Sequence, residues 1–193
     1  MLSKEYYRTY VQILKDELVP AMGCTEPIAI AYAGAVARKI LGALPERVEV
    51  AVSRNIIKNV KSVIVPNTNH LKGIPAAVTA GIIAGKAEKE LEVIAEVTPD
   101  EIEQMITFLK ETPITVEHID QGITFDIVLT LYKEDSYAKV RIANYHTNIV
   151  HIEKDGEVVF DIPVEGENEE GLTDRSLLDM KSIWNFINRC CRY

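Results

Sequence analysis

The chain has few cysteines, no long apolar run and no excess of positive charge. Its 193 residues include 3 cysteines, namely Cys24, Cys190 and Cys191, with no C-x-x-C pair. An odd count with two adjacent members excludes a disulfide framework and offers no recognisable metal cage. The formal net charge of -8 argues against nucleic acid as a partner, because phosphate binding needs a clustered basic surface. The most apolar stretch, residues 27–37, is far shorter than a membrane span.

Several familiar sequence signals are also missing. The N-terminus lacks the charged, apolar and small-residue pattern of a signal peptide, so we expect a cytoplasmic protein without a membrane partner. The sequence contains no Walker A loop, no dinucleotide-binding glycine pattern, no His-Glu-x-x-His and no Gly-x-Ser-x-Gly. Nothing resembles a pyridoxal-phosphate lysine motif. Any chemistry must therefore come from other residues.

Two periodicities in the sequence predict an α+β fold. Apolar residues at helical spacing predict helices over residues 3–18, 27–41 and 75–87 and from residue 98 onward. Alternating apolar and polar residues predict strands over residues 48–52, 60–65, 114–119, 123–132, 137–144, 148–153 and 157–162. We therefore expect helices packed on a mixed or antiparallel sheet. The alanine-rich helix over 27–41 is apolar nearly all round, which indicates a buried helix that other backbone can approach closely.

The end of the chain differs in composition from the rest. We predict one α+β domain over residues 1–163, an acidic linker over 164–174 and a terminal helix over 175–193, capped by Thr173 and Asp174. The terminal helix is rich in apolar residues. It either leads into a second domain or contacts a partner chain, or it folds back on its own domain.

The turn Gly-Cys-Thr-Glu-Pro places one thiol just ahead of the alanine-rich helix. Pro27 suits the first turn because it lacks an N–H, and we expect Glu26 at the cap because residues before proline avoid the α region. Cys24 then lies near the positive helix end, which favours the thiolate. The alternative is that Cys24 is a small core residue beside a buried helix.

Two other polar segments are candidates for an amino-acid site. Asn55, Asn59, Asn67 and Thr68 occur among lysines and arginines, and these residue types can bind the carboxylate and ammonium of an amino acid. The alternative is that they form turns and solvated surface. The triplet from His146 to Asn148 could transfer protons, or it could be a polar turn between strands. His118 and His151 lie in strand patterns and are interpreted as structural.

Three segments together resemble the L-cysteine desulfidase and serine dehydratase alpha-chain-like family. They are residues 22–27 (Met-Gly-Cys-Thr-Glu-Pro), residues 53–74 with the order Ser-Arg-Asn-Ile-Ile-Lys-Asn-Val and Val-Pro-Asn-Thr, and residues 146–150. The resemblance implies β-elimination from L-cysteine or L-serine, giving pyruvate and ammonia with sulfide or water. It also implies a [4Fe–4S] cluster, with Cys24 as one ligand and further cysteines from the second half of the family's longer chains.

The same resemblance implies roles for individual residues. The substrate contacts would be Thr25, Asn55, Asn59, Asn67, Thr68 and Asn148, and His146 would be catalytic. The chain departs from the commoner glycine-rich form of its loop at Asn69 and His70. It also ends near the midpoint of the family's length. We therefore expect an N-terminal part with incomplete activity alone, completed by a homo-oligomer or a complementary C-terminal chain. The alternative is a non-catalytic remnant that binds an amino acid or a partner.

Overall fold

The computed structural model describes residues 3–18, 20–164 and 175–190. Contacts divide the chain into two compact units, Ala21–Glu167 and the pair Met1–Pro20 with Asn168–Tyr193. The composition of the sequence instead predicts one domain over residues 1–163. Most of the predicted linker and its following cap, residues 165–174, lie outside the described residues.

Helices and strands follow one another along the described chain as an α+β arrangement. The α-helices are α1 (Lys4–Glu17), α2 (Thr25–Leu41), α3 (Arg54–Val60), α4 (Gly73–Ala84), α5 (Pro99–Glu111) and α6 (Met180–Cys190), with a short 3-10 helix over Ala87–Glu92. The strands are β1 (Arg47–Val52), β2 (Ile114–His118), β3 (Asp126–Lys133), β4 (Ser136–Ala143), β5 (Ile149–Lys154) and β6 (Glu157–Asp161).

The strands form one mixed sheet in the order β2-β1-β3-β4-β5-β6. Strand β1 lies next to the edge strand β2: it pairs in parallel with β2 and antiparallel with β3. The remaining neighbours are antiparallel, with tight connections typical of successive hairpins. The expected fold class, helices packed on a mixed sheet, is confirmed.

One face of this sheet carries the apolar core of the Ala21–Glu167 unit. Side chains at alternate strand positions point to the same face, so the period-two pattern of the sequence places its apolar residues together. The residues that are at most 1% exposed on this face are Val48, Val50, Val52, Ile127, Leu129, Leu131, Ala138, Val140 and Ile142. Helix α2 covers them and is itself buried over most of its length.

Helices α2 and α4 approach each other unusually closely. A Cβ atom added at Gly81 would lie 1.9 Å from the carbonyl oxygen of Ala31, and one added at Gly34 would lie 2.8 Å from that of Val78. Both distances are shorter than van der Waals contact, so the two backbones depend on glycine where they cross. The expectation of close backbone approach along the alanine-rich helix is confirmed.

Two local expectations are wrong. Residues 60–65 do not form a strand: Arg54–Val60 is helix α3, and the following segment makes only an isolated bridge between Ile64 and Lys72. Ile56 and Val60 are buried one helical turn apart, which is the spacing of a helix face. Glu26 lies inside α2 rather than at its cap, because the helix already begins at Thr25.

The smaller unit is a pair of helices, α1 and α6. The Tyr10 hydroxyl donates a hydrogen bond to the carbonyl of Leu177 at 2.8 Å, and the ring of Phe186 packs against Tyr7 and Tyr10 with centroids 5.4 and 5.3 Å apart. Helix α6 therefore contacts a helix of its own chain, while its Trp184 side chain is 66% exposed. No helix in the described ranges is both long enough and apolar enough to cross a membrane.

Candidate active site

The loop before α2 is shaped by a glycine. Gly23 has a φ of +152°, a backbone conformation that side chains disfavour, and an added Cβ would meet Pro66 Cγ at 3.4 Å. This conformation turns the chain into α2 with Cys24 at the N-cap position. The thiol is exposed and makes no capping bond to the backbone of the first turn.

The Glu26 carboxylate connects Cys24 to helix α3. The Cys24 thiol donates a hydrogen bond to Glu26 Oε2 at 3.1 Å, and the Asn59 amide donates one to Oε1, also at 3.1 Å. Thr25 Oγ1 makes a longer contact with Oε2 at 3.5 Å. Both carboxylate oxygens are therefore engaged, and the start of α2 is held against α3.

His146 completes this group from the β4–β5 connection. Its imidazole is half-buried against Phe125, with ring centroids 4.5 Å apart, and interacts electrostatically with Glu26. We call Cys24, Glu26, Asn59 and His146 the thiol cluster. Three of these four residues are sequence candidates, and Thr25 lies beside them.

Burial and hydrogen bonding set the protonation of the thiol cluster. Loss of water around the sulfur is the largest cause that raises the pKa of Cys24, and the hydrogen bond to Glu26 and its negative charge add to it. Burial opposes ionisation of Glu26, but hydrogen bonds from Cys24, from its own backbone N–H and from Asn59 outweigh it and lower that pKa. Burial lowers the pKa of His146, against the charge of Glu26.

The direction for Cys24 is opposite to the sequence expectation. A helix start favours a thiolate, but here the second residue of the helix brings a carboxylate within hydrogen-bond distance of the sulfur. The resulting pair is a protonated thiol bonded to an ionised carboxylate, beside an imidazole that is neutral at pH 7.

Three other sequence candidates use their side chains to hold loops. The Asn67 amide donates to the carbonyls of Ile94 and Ala95 at 3.0 and 3.3 Å. The buried Thr68 hydroxyl donates to the carbonyl of Val65 at 2.8 Å. The Asn148 amide donates to the carbonyl of Ala143 at 2.9 Å, which fits the interpretation of a polar turn. The structure does not bring these three into the thiol cluster.

Asn55 occupies a different place again. It is exposed and lines a cavity of about 470 Å³ at the start of α3, with Arg54, Lys58, His118 and Asp120 among the other walls. His118, which the sequence predicts to be structural, is one of the residues that line this cavity. The role of Glu26 in the thiol cluster could not be predicted from the sequence. The motif already contained Glu26, but its partner Asn59 lies 33 positions away and only the fold brings them together.

The residues fit a metal cluster only in part. Cys24 is an exposed thiol at a helix start, the kind of group that can become a thiolate ligand. No set of three or more His, Cys, Asp or Glu side chains converges as a metal site among the residues that the structure describes. The side chains of Cys190 and Cys191 lie outside those residues. The described part of the chain thus offers one ligand and not a complete cage.

The fold and the thiol cluster define an α+β protein with a thiol, a carboxylate, an amide and an imidazole gathered at the start of a buried helix. The chain is similar over nearly its whole length to proteins named UPF0597. The relative from Desulfitobacterium hafniense (strain Y51) is 59% identical over 183 residues, which cover 95% of this chain and 43% of that protein.

Two further UPF0597 proteins match the chain with similar coverage. Those of Treponema denticola and Lachnoclostridium phytofermentans are each 42% identical, over 97% and 95% of this chain and 44% of their own lengths. The chain therefore spans less than half the length of these curated relatives. No family model matches it, and no solved structure does.

Proposed function

We propose that the chain supplies one part of the active site of an iron–sulfur-dependent lyase that eliminates sulfide or water from L-cysteine or L-serine. The observation that carries the proposal is the thiol cluster: Cys24 bonded to Glu26, Glu26 bonded to Asn59, and His146 in electrostatic interaction with Glu26. The motif resemblance around Cys24 and His146 supplies the reaction class. In this interpretation the relatives' additional length provides the rest of the site.

The reaction needs a base and a way to stabilise the leaving group. The Cα–H bond and the Cβ–S or Cβ–O bond break, a carbon–carbon double bond forms, and hydrolysis of the product gives pyruvate and ammonia. A neutral imidazole can accept the α-proton, and His146 is neutral at pH 7 because burial lowers its pKa. Glu26 stabilises the imidazolium that results, since its charge raises the pKa of the ring.

Cys24 is the residue of this chain that would hold the cluster. When bound, a [4Fe–4S] cluster with one iron free of protein thiolate supplies a Lewis acid for the departing sulfur or oxygen. In the metal-free chain Glu26, held by Asn59, accepts the proton of the Cys24 thiol in a hydrogen bond, and that proton would have to leave when Cys24 binds iron as a thiolate. The remaining ligands would come from a complementary chain, from another copy or from sequence that this chain does not span.

A reconstitution experiment tests this function. The chain is incubated anaerobically with ferrous iron and sulfide, alone and with the part of the Desulfitobacterium hafniense relative that it does not match, and the intact relative serves as reference. We expect a visible absorption band and sulfide release from L-cysteine in the mixture. Both should be lost with Cys24→Ala, while His146→Gln should lose turnover and keep the band.

Controls separate this function from its alternative. His70→Gln, a histidine in the exposed loop after Asn69, should behave like the unchanged chain. An intact relative that releases neither sulfide from L-cysteine nor ammonia from L-serine would contradict the proposal. The non-catalytic alternative would be favoured if this chain binds an amino acid and the relative stays active after the cysteine of this motif is replaced.

A further inference from the structure

The cavity at the start of α3 lies outside the thiol cluster and is lined by charged side chains. One wall is formed by Arg54 and Lys58, and the facing segment contributes His118 and Asp120. The two walls are joined, because the Ser53 hydroxyl donates a hydrogen bond to the carbonyl of Thr124 at 2.7 Å. Its volume of about 470 Å³ falls within the range of small-molecule sites.

The charged side chains of this cavity are exposed. Within the described ranges, no hydrogen bond or ion pair engages the side chains of Arg54, Lys58 or Asp120. Some other cations of the same unit have partners, since Lys86 and Lys89 contact one glutamate and Lys133 contacts another. Lys61, Lys72 and Lys110, like Arg54 and Lys58, have none among the described residues. What distinguishes the cavity is that it brings Arg54, Lys58 and Asp120 together around one concave space.

The cavity contains both signs of charge. Two cations can bind a carboxylate, and a guanidinium matches the two oxygens of that group with parallel N–H donors. A carboxylate on the facing wall would repel a simple anion such as phosphate but attract an ammonium. A zwitterion fits this arrangement better than either ion alone.

We propose that this cavity, which we call the α3 cavity, binds the head group of a free α-amino acid. Arg54 and Lys58 bind the α-carboxylate, Asp120 binds the α-ammonium, and Asn55 hydrogen-bonds between them. The inference takes the identity of the amino acid, L-cysteine or L-serine, from the proposed function. It assigns specificity for the head group to residues that do not belong to the thiol cluster.

Helix α3 connects the two places. Asn55 lines the α3 cavity and Asn59 bonds Glu26 in the thiol cluster, and the two are four positions apart on the same helix. Side chains at this spacing are neighbours, with Cβ atoms about 5–6 Å apart. The α3 cavity and the thiol cluster therefore lie on successive turns of the same helix.

Equilibrium binding to the metal-free chain tests the inference. The probes are L-serine, ethanolamine, which lacks the carboxylate, L-glycerate, which has a hydroxyl in place of the ammonium, and inorganic phosphate. Calorimetry or ligand-observed NMR should show binding of L-serine and at least about tenfold weaker binding of the other three, since a hydrogen bond to a charged group is lost each time. No binding of L-serine, or equal binding of phosphate, would overturn the inference.

Variants that remove one charge, each with a control that removes the same charge elsewhere, locate the site. Arg54→Gln and Lys58→Gln should each weaken L-serine binding by about tenfold, whereas Lys61→Gln, at the other end of the same helix and outside the cavity, should not. Asp120→Asn should weaken L-serine and spare L-glycerate, with Asp135→Asn in an exposed turn as its control. Equal affinities in cavity and control variants would place the binding elsewhere.

The outcome is separable from that of the proposed function. Binding is measured without iron, so selective L-serine binding with no sulfide release in any reconstituted mixture would support the α3 cavity and contradict the lyase. Sulfide release with a KM for L-cysteine that Arg54→Gln and Lys58→Gln leave unchanged would do the reverse.

Discussion

The α2–α4 layer of the Ala21–Glu167 unit is closely packed, whereas polar side chains are exposed at its rim, by which we mean the thiol cluster and the α3 cavity. Where α2 and α4 cross, backbone meets backbone with no space for a methyl group, and the apolar side chains of β1, β3 and β4 on the core face are buried. At the rim, the thiol cluster is partly exposed, and the charged side chains of the α3 cavity have no partners among the described residues. Substitutions in the layer should therefore change the free energy of unfolding, and substitutions at the rim should change binding and reactivity.

The largest effect should come from Gly81→Ala in the layer. Alanine normally stabilises a helix interior by about 1 kcal/mol relative to glycine. Here its Cβ would lie 1.9 Å from the Ala31 carbonyl oxygen, so α2 and α4 must separate. We expect the free energy of unfolding to fall by about 3 kcal/mol, measured by urea denaturation, because overpacking of this kind moves backbone and not only side chains.

Gly42→Ala is the matched control for that substitution. Gly42 follows α2 with a φ of +75°, and an added Cβ meets nothing within 4 Å. Only the left-handed backbone opposes alanine there, which costs about 1 kcal/mol. A Gly81→Ala chain as stable as Gly42→Ala would show that the two helices can separate without penalty and would remove the contrast between layer and rim.

The layer is also the part that the sequence predicted best. The small residues along α2 indicated a buried helix, and the alternating valines of β1 indicated a half-buried strand; both are confirmed. Helix α3 was missed because it is only seven residues long, and Val60 was read together with the apolar residues after it. The parallel pairing of β1 with β2 could not be derived, because local periodicity does not specify which distant strand lies beside another.

A smaller effect on stability should follow from replacing Arg141, a partly exposed residue whose partner is buried. Its guanidinium donates to both oxygens of Asp126 at 2.9 and 2.8 Å, and the Asp126 side chain is 1% exposed. Arg141→Met leaves a buried carboxylate without its partner. We expect the free energy of unfolding to fall by about 2 kcal/mol, since Arg141 is partly exposed and water can replace some of its bonds.

Arg47→Met provides the comparison for this pair. Arg47 contacts Glu49 on the surface, where both side chains are more than 40% exposed. Pairs of this kind contribute about 0–1 kcal/mol. Chemical denaturation should show a clearly larger loss of stability for Arg141→Met than for Arg47→Met. The opposite ranking would mean that Asp126 is solvated in the variant, or that Arg47, whose guanidinium lies 3.5 Å from the ring centroid of Tyr132, stabilises the sheet through that ring.

Replacing Asn148 or Asn55 by alanine tests whether each asparagine stabilises a loop or only lines a site. Asn148→Ala removes a 2.9 Å bond to the Ala143 carbonyl and should lower the free energy of unfolding by about 1 kcal/mol. Asn55→Ala removes an exposed side chain at the α3 cavity and should change it by less than about 0.5 kcal/mol. Thermal unfolding of both checks the difference. Equal losses would mean that Asn55 has a structural role as well.

This pair also shows how far the site could be predicted. Amide side chains in polar segments are equally suited to turns and to substrates, so sequence alone left both interpretations open for Asn67 and Asn148. Their partners are backbone carbonyls that a chain reveals only when folded. Cys24 and His146 could be singled out from their motifs, but their common partner Glu26 depends on the packing of α2, α3 and the β4–β5 connection.

The smallest effect on stability, and the most informative at the rim, should come from Glu26→Gln. Glu26 raises the pKa of Cys24 by accepting its hydrogen bond and by its negative charge, while loss of water around the sulfur is the larger cause and remains in the variant. The pKa of the thiol should therefore fall without reaching that of an activated cysteine. Alkylation of the metal-free chain by iodoacetamide should become faster at pH 7.5. The pH at which the alkylation rate is half-maximal should be lower than in the unchanged chain.

Glu103→Gln, an exposed change on α5, removes the same charge away from the thiol and should leave the alkylation profile unchanged. Both variants should unfold within about 0.5 kcal/mol of the unchanged chain, because surface substitutions outside the packed layer cost little. If Glu26→Gln left the pH profile of Cys24 where it was, the carboxylate would not control the thiol. The pKa of Cys24 would then be raised by loss of water around the sulfur alone. A substitution at the rim would in that case not change reactivity, contrary to the contrast drawn with the α2–α4 layer.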